Sequence, residues 1–390
     1  MIRNIKALTA SCFVSMFFIG VGTTIIGAAA RNIGLTPYQI GLLMAVQNIG
    51  FMISVVLSSV LSDSLDKTKI LFAGSAVLAI AFFVFYLWRY FSINLAIMFF
   101  IGVGMGTYEG VTDAMLLDIH DRRESLFINI NHFFVTFGCL MITLYLLFLQ
   151  MNWRKSSTQS GIVVSMLALF FLLARREPGG GGSEPLGVRL RFLTRERAVG
   201  LLFAATICAV GIELGNVGIM TTYLMELRGF NQVTSKLALI AFLTGIASGR
   251  MLVGFFSRKQ QVPYFILSLF GSASVFLSLY YFTDLGYYTY ILVYFTGMTI
   301  SALLPLIITL AGLMYKEYAG TVLGIIKFGI PIGGAVIPIF FSLLSRFLSF
   351  RIALSLFPFV ALLGFIIPLA GWRNFRPFID QSTSEGVGVP

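Results

Sequence analysis

The sequence predicts an all-α membrane protein with twelve transmembrane helices in two pseudo-symmetric six-helix bundles. The 390-residue chain is 58% hydrophobic and only 11% charged, and its mean hydropathy of +0.92 lies far above that of soluble domains. Apolar runs long enough to cross a bilayer recur along the whole chain, which excludes a signal peptide followed by a soluble domain. The two halves of the sequence also repeat one another.

Apolar runs of helix-spanning length predict the twelve helices. They lie at roughly 7–29, 40–61, 70–88, 94–117, 126–150, 155–174, 198–226, 233–256, 263–283, 288–314, 320–345 and 351–371. Their connections are short except at 175–197, where RREPGGGGSEP precedes the amphipathic VRLRFLTRER. We therefore expect an N-terminal bundle (1–174), a cytoplasmic linker (175–197), a C-terminal bundle (198–371) and a cytoplasmic tail (372–390). The Gly-Gly-Gly-Gly-Ser run fits a native and an engineered linker alike.

The distribution of basic residues predicts the orientation. Seventeen Lys and Arg residues lie in the tails and the even-numbered connections, against eight on the opposite side. Because basic residues concentrate on the cytoplasmic face, we expect both termini in the cytoplasm and a multi-pass chain in the cell (inner) membrane. These loops also account for the net charge of +11, so a nucleic-acid partner is not expected. The expected partners are the lipid bilayer, a small-molecule substrate and protons, and the expected state is a monomer.

The repeat has a defined register. A shift of 195 residues aligns Gly34 with Gly229, Gly102 with Gly297, His132 with Lys327, and Gly138 with Gly333. A parallel duplication of six helices implies a pseudo-twofold axis along the membrane normal and a substrate site between the halves. That architecture suits alternating access.

The fourth predicted helix carries two carboxylates in its apolar part. The stretch GVGMGTYEGVTD has glycine at every fourth position from Gly102, and Glu109 and Asp113 fall on the same helical face. Glycines on one stripe let a neighbouring helix approach, so this face points into the protein. Burial beside a second carboxylate favours the neutral form of Glu109. We expect Glu109 and Asp113 to carry protons; the alternative is a permanently protonated or salt-bridged Glu109 that only tightens packing.

Two basic side chains lie at a similar depth to Glu109. His132 on the fifth helix is expected to hydrogen-bond Glu109 and join in proton coupling, unless it only makes a packing contact. Lys327 on the eleventh helix has three alternatives: an ion pair with a carboxylate, a clamp for an anionic substrate, or a lysine that snorkels without a role.

Other polar side chains are candidates for substrate binding and gating. Glu213 and Asn216, one turn apart on the seventh helix, are expected to bind polar substrate groups, with structural bridging as the alternative. Tyr108 is a candidate aromatic platform for a sugar. Arg250 is expected to hold an inner gate by pairing with loop acids. We expect the two prolines of GIPIGGAVIP to break the eleventh helix, as a hinge or as a static kink.

Metal and catalytic sites are not expected. Cys12, Cys139 and Cys208 lie in apolar segments at spacings of no metal site, and His120 and His132 alone cannot build a zinc centre. No nucleophile-base set is recognisable either. We expect no cofactor, no metal and no enzymatic activity.

The turn after the second helix resembles a signature of the major facilitator superfamily. SVLSDSLDKTK is similar to a degenerate Gly-x-x-x-Asp-(x)-x-Gly-Arg motif, with Ser59 for the glycine, Asp63 for the aspartate and Lys67 for the basic residue. The resemblance implies the major facilitator fold, and it implies that Asp63 and Lys67 act in gating. The corresponding turn of the second half, GRMLVGFFSRK, has Arg258 in place of the acid.

Two further stretches resemble fucose-permease-like carriers. GVGMGTYEGVTD followed by INHFFVTFG is similar to their fourth and fifth helices, and GIELGNVGIMTTYLMELRGF to their seventh, where Glu213 stands for a recurrent acid. By this resemblance Glu109 matches the helix-four acid of a proton-coupled sugar symporter. The partner acid on the first helix is missing, and Thr23 and Thr24 stand there instead, so Thr23 is a further substrate-binding candidate.

The sequence therefore predicts a proton-coupled secondary transporter, a symporter, for a small polar or anionic organic solute such as a sugar or an organic acid. Import is favoured over export by the branch resemblance. One alternative is a proton-driven exporter of amphipathic drugs or lipids. A second is a non-transporting membrane receptor with a transporter fold.

Overall fold

The computed structural model describes residues 4–33, 37–148, 152–174, 186–284 and 286–375. These residues form fifteen α-helices: α1 (Ile5–Ile33), α2 (Pro37–Leu61), α3 (Lys67–Val84), α4 (Phe91–Ile119), α5 (Glu124–Phe148), α6 (Trp153–Leu173), α7 (Leu186–Leu193), α8 (Arg197–Arg228), α9 (Gln232–Phe256), α10 (Val262–Phe282), α11 (Thr289–Ile300), α12 (Leu303–Met314), α13 (Ala319–Phe347), α14 (Phe350–Ala353) and α15 (Leu356–Ala370). Gly34, the glycine-rich part of the linker and the tail beyond 375 lie outside the described residues.

Twelve spans in the described part of the chain are long and apolar enough to cross a membrane. They follow the twelve predicted helices in order, which confirms the all-α membrane class. The tenth span, Gly286–Met314, is divided into α11 and α12 at residues 301–302. Pro305 explains this break, because it has no N–H for the carbonyl of Ser301, four residues earlier. The two prolines of the eleventh span were expected to break its helix. Instead, α13 continues through Pro331 and Pro338.

The chain forms two compact units. Unit 1 comprises residues 1–121, 130–190 and 315–327, and unit 2 comprises residues 122–129, 191–314 and 328–390. Each unit thus holds one repeat together with a short segment of the other. The predicted bundle boundaries at 174 and 198 stay a prediction.

In unit 1, α2 and α4 touch through their backbones. A Cβ atom built on Gly102 would lie 2.0 Å from the carbonyl oxygen of Gln47, and one on Gly50 would lie 2.2 Å from that of Phe99. No side chain larger than hydrogen fits there. The predicted glycine stripe of the fourth helix therefore packs against α2.

In unit 2, α9 and α11 repeat this packing. A Cβ atom on Gly297 would lie 2.3 Å from the carbonyl oxygen of Phe242, and one on Gly245 would lie 2.1 Å from that of Tyr294. Each of these four residues stands 195 positions after its counterpart in unit 1. The predicted register of the duplication therefore holds at the backbone contacts themselves.

Candidate functional site

Asp113 lies at the centre of a buried polar cluster in unit 1. Its Oδ2 accepts a hydrogen bond from Nζ of Lys327 at 2.6 Å and lies 3.1 Å from Nε2 of His132. Its Oδ1 accepts from Nδ2 of Asn131 at 2.8 Å. The side chains of Asp113 and Lys327 are 0% exposed, a depth at which charges need such partners. These four residues and Glu109 are termed the Asp113 cluster.

Lys327 joins Glu109 and Asp113 of α4. Its ammonium group donates to Asp113 and to the backbone carbonyl of Glu109, and Nζ lies 3.1 Å from Oε1 of Glu109. An ammonium group has three N–H donors, and two of them are used by these hydrogen bonds. Of the three alternatives for Lys327, the structure thus shows the ion pair. A snorkelling lysine does not fit a side chain that is 0% exposed.

The two carboxylates of the cluster differ in their hydrogen bonding. Both oxygens of Asp113 accept hydrogen bonds. In contrast, Oε1 of Glu109 is buried and accepts no hydrogen bond within the described residues, although Nζ of Lys327 lies near it. Glu109 is therefore the carboxylate whose negative charge is less completely satisfied.

His132 contacts Asp113 rather than Glu109. The expected hydrogen bond between Glu109 and His132 is therefore corrected: the ring on α5 meets α4 one turn further along, at Asp113. His132 and Lys327 stand 195 residues apart and so occupy equivalent positions of the two repeats. Two repeat-related side chains thus converge on one carboxylate.

The cluster also has the composition of a metal site. One ligand atom each of Glu109, Asp113 and His132 lies within 4.8 Å of the others. However, the ammonium group of Lys327 already lies against both carboxylates and supplies the positive charge that a metal ion would bring. The residues therefore do not fit a resident metal ion while Lys327 is in this position.

A second buried ion pair lies in unit 2. NH2 of Arg250 on α9 donates to Oε1 of Glu213 on α8 at 2.8 Å, and its Nε donates to the carbonyl oxygen of Ser301 at 3.0 Å. The expected pairing of Arg250 with loop acids is thereby corrected, because its partner Glu213 lies inside a transmembrane helix. The side chain of Glu213 is 19% exposed, against 6% for Arg250, so part of this side chain is accessible.

The remaining substrate candidates do not join these clusters. Asn216 is fully buried and accepts a hydrogen bond from Tyr281 at 2.6 Å, which matches the bridging alternative. The hydroxyl of Tyr108 donates to Ser75 on α3 at 2.7 Å, and its ring is 0% exposed, so it faces no ligand in this conformation. Thr23 is exposed and donates to the backbone of its own helix.

Asp63 lies at the first turn of α13, within unit 1. Its carboxylate accepts from the backbone N–H of Gly320 and of Thr321, both at 2.7 Å, and from NH1 of Arg189 at 2.9 Å. These four residues are termed the Asp63 cluster. Lys67 lies elsewhere, with Nζ 2.8 Å from Oδ2 of Asp118.

Sequence reasoning missed Arg189. It belongs to the amphipathic stretch of the linker, and its spacing does not distinguish it from its neighbouring arginines, so only the fold identifies it as the buried one. Sequence reasoning also missed a contact in unit 2, where Ser125 bonds Ser257 and Lys259 pairs with Glu124 at 2.7 Å. The 195-residue register could have predicted that contact, because Ser125 is the counterpart of Gly320, which belongs to the Asp63 cluster.

The sequence model of the Major Facilitator Superfamily matches residues 8–328. Among characterised proteins, the glucose/mannose transporter GlcP of Bacillus subtilis (strain 168) is 21% identical over 355 residues, which is 82% of this chain and 84% of that protein.

Solved structures share the fold. The E. coli fucose:proton symporter FucP superposes with a TM-score of 0.75 at 17% identity and covers 94% of this chain and 98% of its own. The proton:xylose symporter XylE has a TM-score of 0.71 at 14% identity, with 95% of each chain covered. The human organic anion transporter MFSD10 has a TM-score of 0.73 at 14% identity, with 94% and 100% covered. At these identities the likeness concerns the fold alone.

Proposed function

Because the chain belongs to the Major Facilitator Superfamily, we propose that it is a proton-coupled symporter for a small, neutral, polar solute of the sugar class. Membership of this family makes the chain a multi-pass membrane transporter rather than an enzyme. The observation that carries the proposal is the charge balance of the Asp113 cluster, in which one buried ammonium group faces two buried carboxylates.

The proton site is assigned to Glu109. With Lys327 paired to Asp113, Glu109 is a second buried carboxylate without an ammonium group of its own, and a bound proton can supply the missing positive charge. Glu109 has the oxygen without a hydrogen-bond donor, so protonation relieves it most. His132, which contacts Asp113, is the neighbouring base through which the cluster can share the proton.

A neutral solute is favoured over an anionic one. Lys327 and Arg250, the two lysine and arginine residues well inside transmembrane helices in the described chain, both face carboxylates. An organic anion would have to displace one of these buried partners. Glu213, whose side chain is partly exposed, suits hydroxyl donors. The names of three of the four relatives support this class, since GlcP is a glucose/mannose transporter and FucP and XylE are sugar symporters, whereas MFSD10 is an organic anion transporter.

Gating and placement complete the proposal. Asp63 and Lys67 hold unit 1 closed on the side of the membrane where the linker lies. Arg250 stabilises the break between α11 and α12. The chain acts as a monomer in the inner membrane, with both termini and the linker in the cytoplasm.

The test is substrate-driven proton movement in liposomes. The purified protein is reconstituted with an internal pH dye and exposed to pools of neutral sugars, organic acids, amino acids and lipophilic cations. Glu109→Gln is compared with wild type, and Glu226→Gln is the matched control because Glu226 is an exposed residue near the end of α8.

The expected result is acidification inside the liposomes with neutral sugars, for wild type and Glu226→Gln but not for Glu109→Gln. Proton movement driven by organic acids alone would overturn the neutral-solute assignment. Equal proton movement in wild type and Glu109→Gln would overturn the role of Glu109.

A further inference from the structure

Arg189 is buried although it belongs to the segment that connects the two repeats. It lies on α7, where its side chain is 5% exposed, whereas Val188 and Phe192 on the same helix are 49% and 46% exposed. A buried guanidinium group needs a charged partner and hydrogen-bond acceptors. The contacts of Arg189 therefore indicate what holds α7 in place.

Arg189 supplies the positive charge of the Asp63 cluster. Its NH1 lies 2.9 Å from Oδ2 of Asp63 and 3.3 Å from Oγ1 of Thr321. The same carboxylate receives the backbone N–H groups of Gly320 and Thr321 and the Thr321 hydroxyl. One side chain of the linker thus contacts both the turn after α2 and the start of α13.

The basic residue of the turn itself does not take this position. Lys67 is the basic residue nearest to Asp63 in sequence, yet its ammonium group lies 2.8 Å from Asp118 at the end of α4. Among the ion pairs of the described residues, the partner of Asp63 is Arg189. A charge that could have come from within the turn is therefore provided by the linker.

The segment that Arg189 helps to hold also carries the proposed proton site. Residues 319–327 begin at the Asp63 cluster and end at Lys327 in the Asp113 cluster. Thr321 and Lys327 are six residues apart, about 9 Å at the helical rise of 1.5 Å per residue. Two anionic anchors from the first repeat, Asp63 and Asp113, thus hold one short piece of the second repeat within unit 1.

We propose that Arg189 is a positioning residue of the transport cycle. It fixes Asp63 against the first turn of α13 and so holds residues 319–327 on the first repeat until proton and solute have bound. Release of Lys327 at one end of the segment and of Arg189 at the other is then needed before the linker side opens. This inference rests on the proposed transport function, to which it adds a role for the linker.

The experiment measures how readily the contact between α2 and α13 opens. Ser59 on α2 is 0% exposed and lies under Gly324, on which a built Cβ atom would be 3.0 Å from that of Ser59. The reporter is Ser59→Cys. A small charged methanethiosulfonate is added on the side of the membrane where the linker lies, and the rate at which it labels the new cysteine measures opening. Labelling of the same protein without the reporter, which contains the three native cysteines, is subtracted.

Arg189→Ala and Arg189→Lys are compared with Arg191→Ala, which removes an exposed arginine from the same helix. We expect Arg189→Ala to raise the labelling rate about tenfold, equivalent to about 1.4 kcal/mol, and to raise KM for solute added on the opposite side. Arg189→Lys should restore part of both effects. Arg191→Ala should match the parent protein.

Labelling rates and KM values of Arg189→Ala that equal those of Arg191→Ala would overturn the proposal. A fall in thermal stability with unchanged labelling and KM would also overturn it, because Arg189 would then be merely structural. If the parent protein takes up none of the sugars, the proposed function fails, whereas the labelling rates still decide whether Arg189 holds the contact closed.

Discussion

The carbonyl oxygen of Ser301 accepts a hydrogen bond from Nε of Arg250 at 3.0 Å. In an uninterrupted helix this carbonyl would accept from the N–H of residue 305, but that residue is proline and has none. The break between α11 and α12 therefore creates an acceptor, and a buried arginine from α9 uses it. The same arginine pairs with Glu213, so the break helps to set the position of that carboxylate.

Replacing Pro305 should test this relationship. In Pro305→Ala the new N–H competes with Arg250 for the carbonyl of Ser301, so we expect the two helices to join, thermal stability to rise and the maximal transport rate to fall severalfold. Proline in a helix interior costs about 3 kcal/mol relative to alanine. Pro358→Ala is the control, since Pro358 is also the third residue of its helix, α15. Transport equal to wild type in Pro305→Ala would refute the idea.

Removing Lys327 should destabilise the protein through Asp113. Lys327→Met leaves that carboxylate buried without its ammonium partner, and we expect a loss of about 3–5 kcal/mol in the free energy of unfolding. The double variant Lys327→Met/Asp113→Asn should regain part of it, because the charge of Asp113 is removed and only Glu109 is left without the ammonium group. Thermal unfolding in detergent measures both. A double variant as unstable as the single one would show that packing, not charge, governs the site.

Neutralising Glu109 should remove the pH dependence of solute binding. If a proton on Glu109 precedes the solute, apparent affinity is full at low pH and falls as pH rises, by up to about tenfold per pH unit for one proton. Glu109→Gln mimics the protonated form, so its affinity should stay high and constant, and solute exchange without net proton movement should persist.

The charged and titratable groups that face Glu109 are Asp113 on its own helix, His132 on α5 and Lys327 on α13. Binding isotherms across pH provide the measurement for Glu109→Gln and His132→Gln. A pH dependence that survives the first substitution and disappears with the second would move the proton site to His132.

Close helix packing should make certain glycines irreplaceable. Gly50→Ala would push a methyl group to 2.2 Å from the carbonyl oxygen of Phe99, so we expect little folded protein. Gly218→Ala on α8 meets nothing within 4 Å and should be neutral or stabilise by up to about 1 kcal/mol, the helix propensity difference. Monodisperse protein yield in detergent compares the two. Normal yield of Gly50→Ala would contradict the observed backbone contact.

The sequence was sufficient to predict the membrane class, the twelve spans and the repeat register. These properties depend on composition and on period, which a bilayer makes decisive. The glycine stripe of α4 could likewise be assigned to a helix interface, because only close approach explains glycine at Gly102, Gly106 and Gly110 in a helix.

The pairing of charges was less accessible to sequence reasoning. Periodicity places Glu109 and Asp113 on one face, but the choice between them as the partner of His132 depends on a helix-to-helix offset of one turn, which no single-sequence pattern contains. Arg250 was expected to meet loop acids because a charge near a helix end usually does. Its actual partner, Glu213, follows from the side-by-side position of α8 and α9. The burial of Arg189 depends on the folded path of the linker, which the spacing of its arginines does not reveal.

The backbone contact between α2 and α4 also determines where the chain can deform. Two helices that meet without intervening side chains cannot slide past each other without collision, so α2 and α4 move as one rigid body. The same holds for α9 and α11. Conformational changes must therefore occur at contacts made by hydroxyl groups and ion pairs, because these groups can exchange their partners for water. A cross-link between α2 and α4 should therefore be harmless, whereas one between α2 and the first turn of α13 should lock the protein.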